Sequence, residues 1–316
     1  MINTSRQLKD KIKNLSGGNS LKAQTLIRKY VMERFLAKVA KSKYQNNFIL
    51  KGGMLISAIV GEDARSTMDI DTTVQSLPLT DEDIQKIINE IASIDLGDNL
   101  TFTLSKTETI RDDFDYPGVR VTLKVIFEKL KETVNIDIST GDEITPSAVQ
   151  FTYPTMFEQE KIRIWSYNLE TLLAEKLQTV LARSVANTRM RDFYDIYILW
   201  NLENESIDRD LLRDAYKATA HSRKTEKEID KADEIMEQIA LNEYMETLWN
   251  NYKSSNSYVG DISWDEVLGT VTDIVLDEIK CDTEYGIEDD GIEDDEIDDE
   301  ITEEPQSEHG FEMTML

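Results

Sequence analysis

One change of hydrophobic rhythm divides this chain. Up to Pro154, stretches that alternate apolar and polar residues are interleaved with helical patterns; from Asn168 to about residue 280 the apolar residues recur every three or four positions. The alternating stretches are "MDIDTTV" (68–74), a segment at about 100–110, "GVRVTLKVIF" (118–127) and "ETVNIDIS" (132–139). Strands mixed with helices and then followed by helices alone point to an α+β domain with a mixed sheet and flanking helices, and after it a helical domain. The change falls at 155–167, with "KIRIWS" (161–166) as a candidate last strand, so the domains are expected at 1–160 and 161–280.

Local signals fill in the elements. After the "SGG" break at 16–18, Ser20 is placed to cap a helix to about Lys43, with Ile27, Tyr30, Val31, Phe35 and Val39 at helical spacing. "NFIL" (47–50) reads as a short buried strand, broken by Gly52 and Gly53 and followed by a turn or two of helix in "MLISAIV" (54–60). "LTDEDIQKIINEIASI" (79–94) is an amphipathic helix capped by Thr80 or Asp81. The second half reads as helices over 168–186, 190–203, 208–220, 223–252 and 262–280.

Charge sets the tail apart. Of the net charge of −27, thirteen acids with no lysine or arginine lie between Glu284 and Glu304, which leaves −14 for the rest. Such a segment buries too little apolar surface to offset its ordering entropy and self-repulsion, so residues 281–316 are expected to be disordered. The tail is a solubilising segment, or else a regulatory one that competes with nucleic acid for a basic cleft or docks a basic partner.

Composition also narrows the chemistry. Cys281 is the only cysteine, which excludes a disulfide framework and suits a reducing cytoplasm. With two histidines, His221 and His309, neither beside a partner motif, no zinc cluster or Cys/Ser–His nucleophile is expected. Catalysis is left to carboxylates, lysine, arginine and hydroxyls. The polar start "MINTSRQLKDKIKNLS" does not read as a signal peptide, and no apolar run approaches the length of a membrane span.

Two constellations fit that chemistry. In "RSTMDIDTT" (65–73), Asp69 and Asp71 alternate with Met68 and Ile70 and so share one strand face; in "VNIDIST" Asp137 stands between Ile136 and Ile138 in the same way. Three carboxylates on one face of adjacent strands would seat magnesium, which takes hard oxygen ligands and keeps positions for water and substrate phosphates. The Gly52–Gly53 turn between strand and helix would bring bare backbone N–H groups to the sheet's end, where a triphosphate could be cradled, with Lys51, Arg65 and Thr67 near it. The alternative is a pair of solvent-facing strand acids.

The second constellation is helical. In "NLETLLAEKLQTVLARSVANTRMRDFYDIYIL" (168–199), Lys176 and Arg183 fall on one helix face, and Asp192 and Asp195 on one face of the next. The bland alternative pairs Arg191 with Asp195 and Lys176 with Glu175 or Thr179 at the surface.

Taken in order, "FILKGGMLI", "RSTMDIDTT", "VNIDISTGDEITP", "LAEKLQTVLAR" and "NTRMRDFYDIYIL" resemble the AbiEii/AbiGii nucleotidyltransferases, the toxins of type IV toxin–antitoxin and abortive-infection systems, over about residues 25–220. The resemblance implies a DNA polymerase β-like nucleotidyltransferase fold, Mg2+ as cofactor and a nucleoside triphosphate as substrate. It places the Gly-Gly motif on Gly52 and Gly53, the metal pair on Asp69 and Asp71, and the third strand acid on Asp137. The preceding hydroxyl falls on Thr67, where serine is commoner, the helical lysine on Lys176, and the "RDxxD" motif on Arg191, Asp192 and Asp195. Lys176 or Arg65 would neutralise charge on the phosphates, and Asp192 or Asp195 would orient the acceptor hydroxyl or fix Lys176. Family members transfer nucleotides to RNA, which implies the tRNA 3′ end as acceptor and a winged-helix antitoxin as partner. For an acidic chain, "RSVANTRMR" (183–191) and "HSRKTEK" (221–227) are the stretches that could meet RNA phosphates. A protein or small-molecule acceptor, and a catalytically idle interaction protein that uses the acidic tail, remain as alternatives.

Overall fold

A computed structural model describes residues 2–61, 63–77, 80–111, 117–158 and 161–280; the acidic tail expected from 281 onward lies outside them. Seven strands, β1 (Phe48–Lys51), β2 (Asp69–Val74), β3 (Thr101–Arg111), β4 (Pro117–Phe127), β5 (Leu130–Ser139), β6 (Val149–Tyr153) and β7 (Ile162–Ser166), form one sheet in the order β3-β4-β5-β2-β1-β7-β6. The sheet is mixed: β2 runs parallel to β5 and β1 parallel to β7, while the other pairs are antiparallel. "KIRIWS" supplies β7, which lies inside the sheet between β1 and β6.

The period of two visible in the sequence becomes alternating rows across the sheet. One row, Leu50–Thr72–Ile138–Val119, is buried, and so is the next of its kind, Ile70–Ile136–Val121. The rows between them, on the other face, are Lys51–Asp71–Asp137–Arg120 and Asp69–Asn135–Thr122. A one-residue slip in either strand would bury the acids and expose the isoleucines, so burial holds the register.

Helices flank the sheet: α1 (Ser5–Ser16), α2 (Ser20–Lys41), α3 (Gly52–Val60) and α4 (Asp81–Ala92). α1 is an addition to the sequence reading; its polar sequence buries little beyond Leu8 and Ile12, four residues apart. α2 packs against β5, β7 and α4, and from Lys29 to Val39 it is buried on all sides. Its charged residues are therefore each given a partner, as burial requires. Arg34 Nε donates to Asp98 Oδ2 at 2.6 Å, Lys38 Nζ donates to the Ala92 carbonyl at 3.2 Å, and Glu33 Oε2 accepts from the Met156 N–H at 3.0 Å.

The second half comprises α5 (Leu169–Arg183), α6 (Met190–Glu203), α7 (Arg209–Ser222), α8 (Ala232–Ala240), α9 (Glu243–Ser255) and α10 (Trp264–Asp273), the last continued by a π-helical segment to Ile279. The single helix expected over 223–252 is broken into a 3-10 turn (Glu226–Lys231), α8 and α9. Asn242 causes the second break: its side chain accepts from the Tyr244 N–H at 3.0 Å and caps α9, an alternative to continuing α8. α6 packs on α3, and the Tyr194 hydroxyl donates to the Ala64 carbonyl at 2.5 Å, so the loop before β2 is tied to the helical half. Behind that bond Tyr194 stacks in a cluster with Trp249, Tyr252 and Tyr258. Burial pushes the Tyr194 hydroxyl up to about 12, so it stays a donor at neutral pH. Among the described residues no helix is long and apolar enough to cross a membrane.

Candidate active site

The polar row of the sheet is a charge sequence. In register across four strands stand Lys51, Asp71, Asp137 and Arg120, a cation, two anions and a cation. Arg120 Nε and Nη2 donate to the two oxygens of Asp137 at 2.7 and 2.6 Å, a bidentate pair that raises the arginine's pKa further. Asp69 Oδ1 accepts from the Asn135 amide at 3.1 Å. Asp71 has no cation bonded to it among the described residues; its Oδ2 accepts from the Gly53 N–H at 3.0 Å. Burial pushes its carboxyl up and the charge of Asp137 adds to that, against the opposing pull of the Gly53 N–H.

The two glycines are a steric condition of this arrangement. Gly52 has φ +61°, and a Cβ there would lie 2.3 Å from Asp71 Oδ2. A Cβ on Gly53 would lie 2.8 Å from Thr67 Oγ1 and 3.1 Å from Arg65 Nη2. Only bare backbone lets the start of α3 close on the carboxylate. Gly52→Ala therefore combines a left-handed backbone with a collision. It is expected to cost roughly 2 kcal/mol of stability, measured by urea unfolding, and to lower transfer about 100-fold by displacing Asp71.

Beside the row runs a buried relay. Arg65, 1% exposed, donates through Nε to Asp195 Oδ1 at 2.6 Å. Asp195, fully buried, also meets Lys176 Nζ at 2.8 Å, and Lys176 donates to Asp192 Oδ1 at 2.9 Å. Burial opposes the charges on Asp195 and Lys176, yet their mutual attraction outweighs it. The aspartate is held below its ordinary range by Lys176 and Arg65, and the lysine above its own by Asp192 and Asp195. Arg65, a candidate phosphate neighbour in the sequence, thus has its charge committed to Asp195. The surface pairing of Arg191 with Asp195 is not what forms. Thr67 is buried, with its hydroxyl donating to the Asp69 carbonyl at 3.3 Å.

A second network surrounds Lys51. Its Nζ contacts Asp142 Oδ2 at 2.8 Å and Glu175 Oε1 at 3.4 Å, while Arg223 Nη2 donates to the same Glu175 oxygen at 3.0 Å. Burial works against the Lys51 charge, but Glu175 and Asp142 overcome it and hold its pKa up. Arg120, Asn135, Asp142, Glu175 and Arg223 were not singled out as site residues from the sequence. Arg120 carries the same signal as Asp137, a charge between two valines in an alternating strand, and was there to be read. Asp142 and Glu175 carry none as partners of Lys51, which they meet only through the fold; Arg223 stands in the basic stretch 221–227, but nothing local marks it as the partner of Glu175.

These elements line an open cleft of about 750 Å³. Its wall includes Gly52, Gly53, Asp69 and Asp71, and six basic residues (Lys51, Arg65, Arg120, Lys176, Arg189, Arg191) stand there against six acidic ones. In a chain of net charge −27 the cleft is locally balanced. A smaller chamber of about 290 Å³ adjoins it, sharing Lys51, Asp71, Arg120, Asp137 and Arg189 and adding Asp142 and Arg223. Arg189 and Arg191 come from the first basic stretch and Arg223 from the second, so the fold brings both to one place. Arg183, at the end of α5, is not among the residues lining the cleft.

A divalent cation can be tested against these side chains. Among the described residues, no three acidic, histidine or cysteine side chains are grouped to hold an ion. Asp137, the expected third carboxylate, stands beside Asp71 in register but is gripped by Arg120. The remaining pair, Asp69 and Asp71, offers hard oxygens two positions apart on one strand face, with no cation bonded to Asp71 among the described residues. That donor set fits a small ion that keeps water and phosphate oxygens as its other ligands.

The model of the AbiEii nucleotidyl transferase toxin family of type IV toxin–antitoxin systems matches residues 34–270, a span that holds every cleft residue named above. None of the curated proteins matches the sequence. Among solved structures, the chain is similar to JHP933 from Helicobacter pylori, with 15% identity and a TM-score of 0.45, over 83% of this chain and 96% of that one. It is also similar to an antigenic nucleotidyltransferase-like protein from Paracoccidioides brasiliensis, with 13% identity and a TM-score of 0.34, over 65% of this chain and 91% of that one.

Proposed function

The chain belongs to the AbiEii nucleotidyl transferase toxin family of type IV toxin–antitoxin systems, and from that premise we propose what it transfers and how. It moves a nucleotide from a nucleoside triphosphate to the 3′ end of an RNA, the acceptor end of tRNA, with Mg2+ held by Asp69 and Asp71, on a DNA polymerase β-like fold. The observation that carries this reading is the placing of Asp69 and Asp71 on one wall of a cleft whose other residues supply Gly53, Lys176, Arg189 and Arg191.

The reaction asks little covalent chemistry of the protein. The acceptor hydroxyl attacks the α-phosphorus, the bond from that phosphorus to the bridging oxygen breaks, pyrophosphate leaves, and the hydroxyl proton passes to water in the open cleft. Catalysis is then positioning and charge. The bound ion would supply positive charge at the phosphates. The start of α3, held against Asp71, fixes that carboxylate's orientation. Lys176, locked by Asp192 and Asp195, presents a charge that cannot be lost by deprotonation at neutral pH. Arg189 and Arg191 face the cleft from the start of α6, where phosphates of the triphosphate or of the RNA would pass. A cognate winged-helix antitoxin completes the system.

The acceptor is tested with the full chain, Mg2+, each α-labelled triphosphate and total cellular RNA. Label is expected in short RNA, and periodate oxidation of the 3′ ribose beforehand should abolish it. Label in protein, or label in RNA that survives periodate treatment, would overturn the 3′-end acceptor.

A further inference from the structure

The cleft has a second wall of another chemical kind. On α9, Leu248, Asn251, Tyr252 and Ser255 recur at i, i+3, i+4 and i+7 and so share one helix face, and together with Asn256 they line the cleft. The adjoining flank of the helix is sunk in the core through Met245 and Trp249, and the Trp249 ring packs on that of Tyr252 at 5.8 Å. None of the five cleft-lining residues is charged, although 31% of the chain is. Lys253, the one basic residue of α9, is turned to the Ile262 carbonyl, to which it donates at 3.2 Å.

Most polar groups along this face are already used. The Tyr252 and Tyr258 hydroxyls are joined at 2.8 Å, which fixes the Tyr252 ring, and the Asn256 amide donates to the Tyr252 carbonyl at 2.8 Å. The exception is Asn251, whose exposed side chain has no hydrogen-bond partner among the described residues. An aliphatic side chain, a pinned aromatic ring and a free amide make a poor phosphate site, since phosphates call for cations. They suit a flat, neutral group with donors and acceptors on its rim. An asparagine amide offers both an acceptor and donors, so it can pair with a base edge that presents both.

We propose that this face of α9 is a nucleobase subsite, with Leu248 and the Tyr252 ring against the base and the Asn251 amide on its edge. The inference rests on the nucleotidyl-transfer reading and adds to it the part of the protein that distinguishes one nucleotide from another. The base belongs either to the incoming triphosphate or to the last nucleotide of the acceptor, and both sources share this chemistry.

The test uses the full chain and its Asn251→Ala variant, whose altered side chain is exposed and makes no hydrogen bond among the described residues. Binding of the four nucleoside triphosphates and of inorganic tripolyphosphate is measured with Mg2+ and without RNA, and labelling is measured on four short RNAs that differ only in the 3′ nucleotide. If the base is the donor's, the wild type spreads the four triphosphates over about tenfold or more in affinity, and Asn251→Ala compresses the spread to within about threefold. Tripolyphosphate binding stays unchanged. If the base is the acceptor's, the triphosphate spread survives and the preference among the four RNAs collapses by a similar factor. Both rankings intact in Asn251→Ala, or an equal loss of tripolyphosphate binding, would overturn the subsite while leaving nucleotidyl transfer standing. A wild type that binds neither nucleoside triphosphates nor tripolyphosphate would overturn the transfer reading and the subsite together.

Discussion

Asp195→Ala is expected to lower stability by about 3–5 kcal/mol and the melting temperature by on the order of 10 °C. The residue is fully buried and joins Arg65, from the loop before β2, to Lys176 on α5. Its removal takes the shared counter-charge from Arg65, which is almost inaccessible to water, and from Lys176, which keeps only Asp192. The cost is that of orphaned charges rather than of a lost surface pair. Urea unfolding at neutral pH measures it.

The same pair makes a pH prediction. Burial opposes ionisation of Asp195, but Lys176 and Arg65 hold its pKa below the ordinary value, so the folded pKa is lower than the unfolded one. Such a carboxylate contributes stability that is complete above its unfolded value, about 4, and is lost as the pH falls through the folded value. The gap in unfolding free energy between wild type and Asp195→Asn should therefore narrow below about pH 4. A gap that widened in acid would mean that Asp195 is not the ionised partner of the relay.

Asp71→Asn is expected to do the opposite: to abolish function and spare the fold. Transfer should fall about 1,000-fold, the scale of several kcal/mol of charge stabilisation lost at the phosphates. Yet in the protein without ions or nucleotide, stability at neutral pH should be unchanged or slightly higher. Burial and the neighbouring Asp137 push the Asp71 carboxyl up, so its ionised form is disfavoured in the folded state. A raised carboxylate pKa costs stability above the folded value, and that cost vanishes in acid. An asparagine removes the charge and can still accept from the Gly53 N–H. Adding Mg2+ and a triphosphate should raise the melting temperature of wild type, with about 2.7 kcal/mol gained at a hundredfold excess over Kd, and should do much less for the variant.

The features that were legible in the sequence are those that repeat at a structural period. Asp69, Asp71 and Asp137 showed themselves because acids alternate with isoleucines or methionine on β2 and β5, and the structure lines these strands up in parallel. Asp192 and Asp195 were placed on one helix face by spacing alone, and the mixed sheet followed by helices came from the change of period. What was illegible depends on contacts between distant segments. Arg65 and Asp195 are 130 residues apart, and nothing local marks one as the partner of the other. β6 is a five-residue edge strand whose first four positions are at least partly exposed, so it has no clear alternation to detect. The break before α9 turned on a single capping asparagine inside a helical pattern. That break aims α9's neutral face into the cleft, a placement with no signature in composition or motif.

The central claim is that Asp69 and Asp71 hold the ion of a nucleotidyl transfer site. The most direct measurement is incorporation of α-labelled nucleotide into RNA by wild type, Asp69→Ala and Asp71→Asn, each with its melting temperature recorded in the same buffer. Wild type with Mg2+ is expected to give labelled RNA, and both variants a loss of about 1,000-fold, with melting temperatures within about 3 °C of wild type. Labelling that persists within tenfold of wild type in either folded variant would contradict that claim.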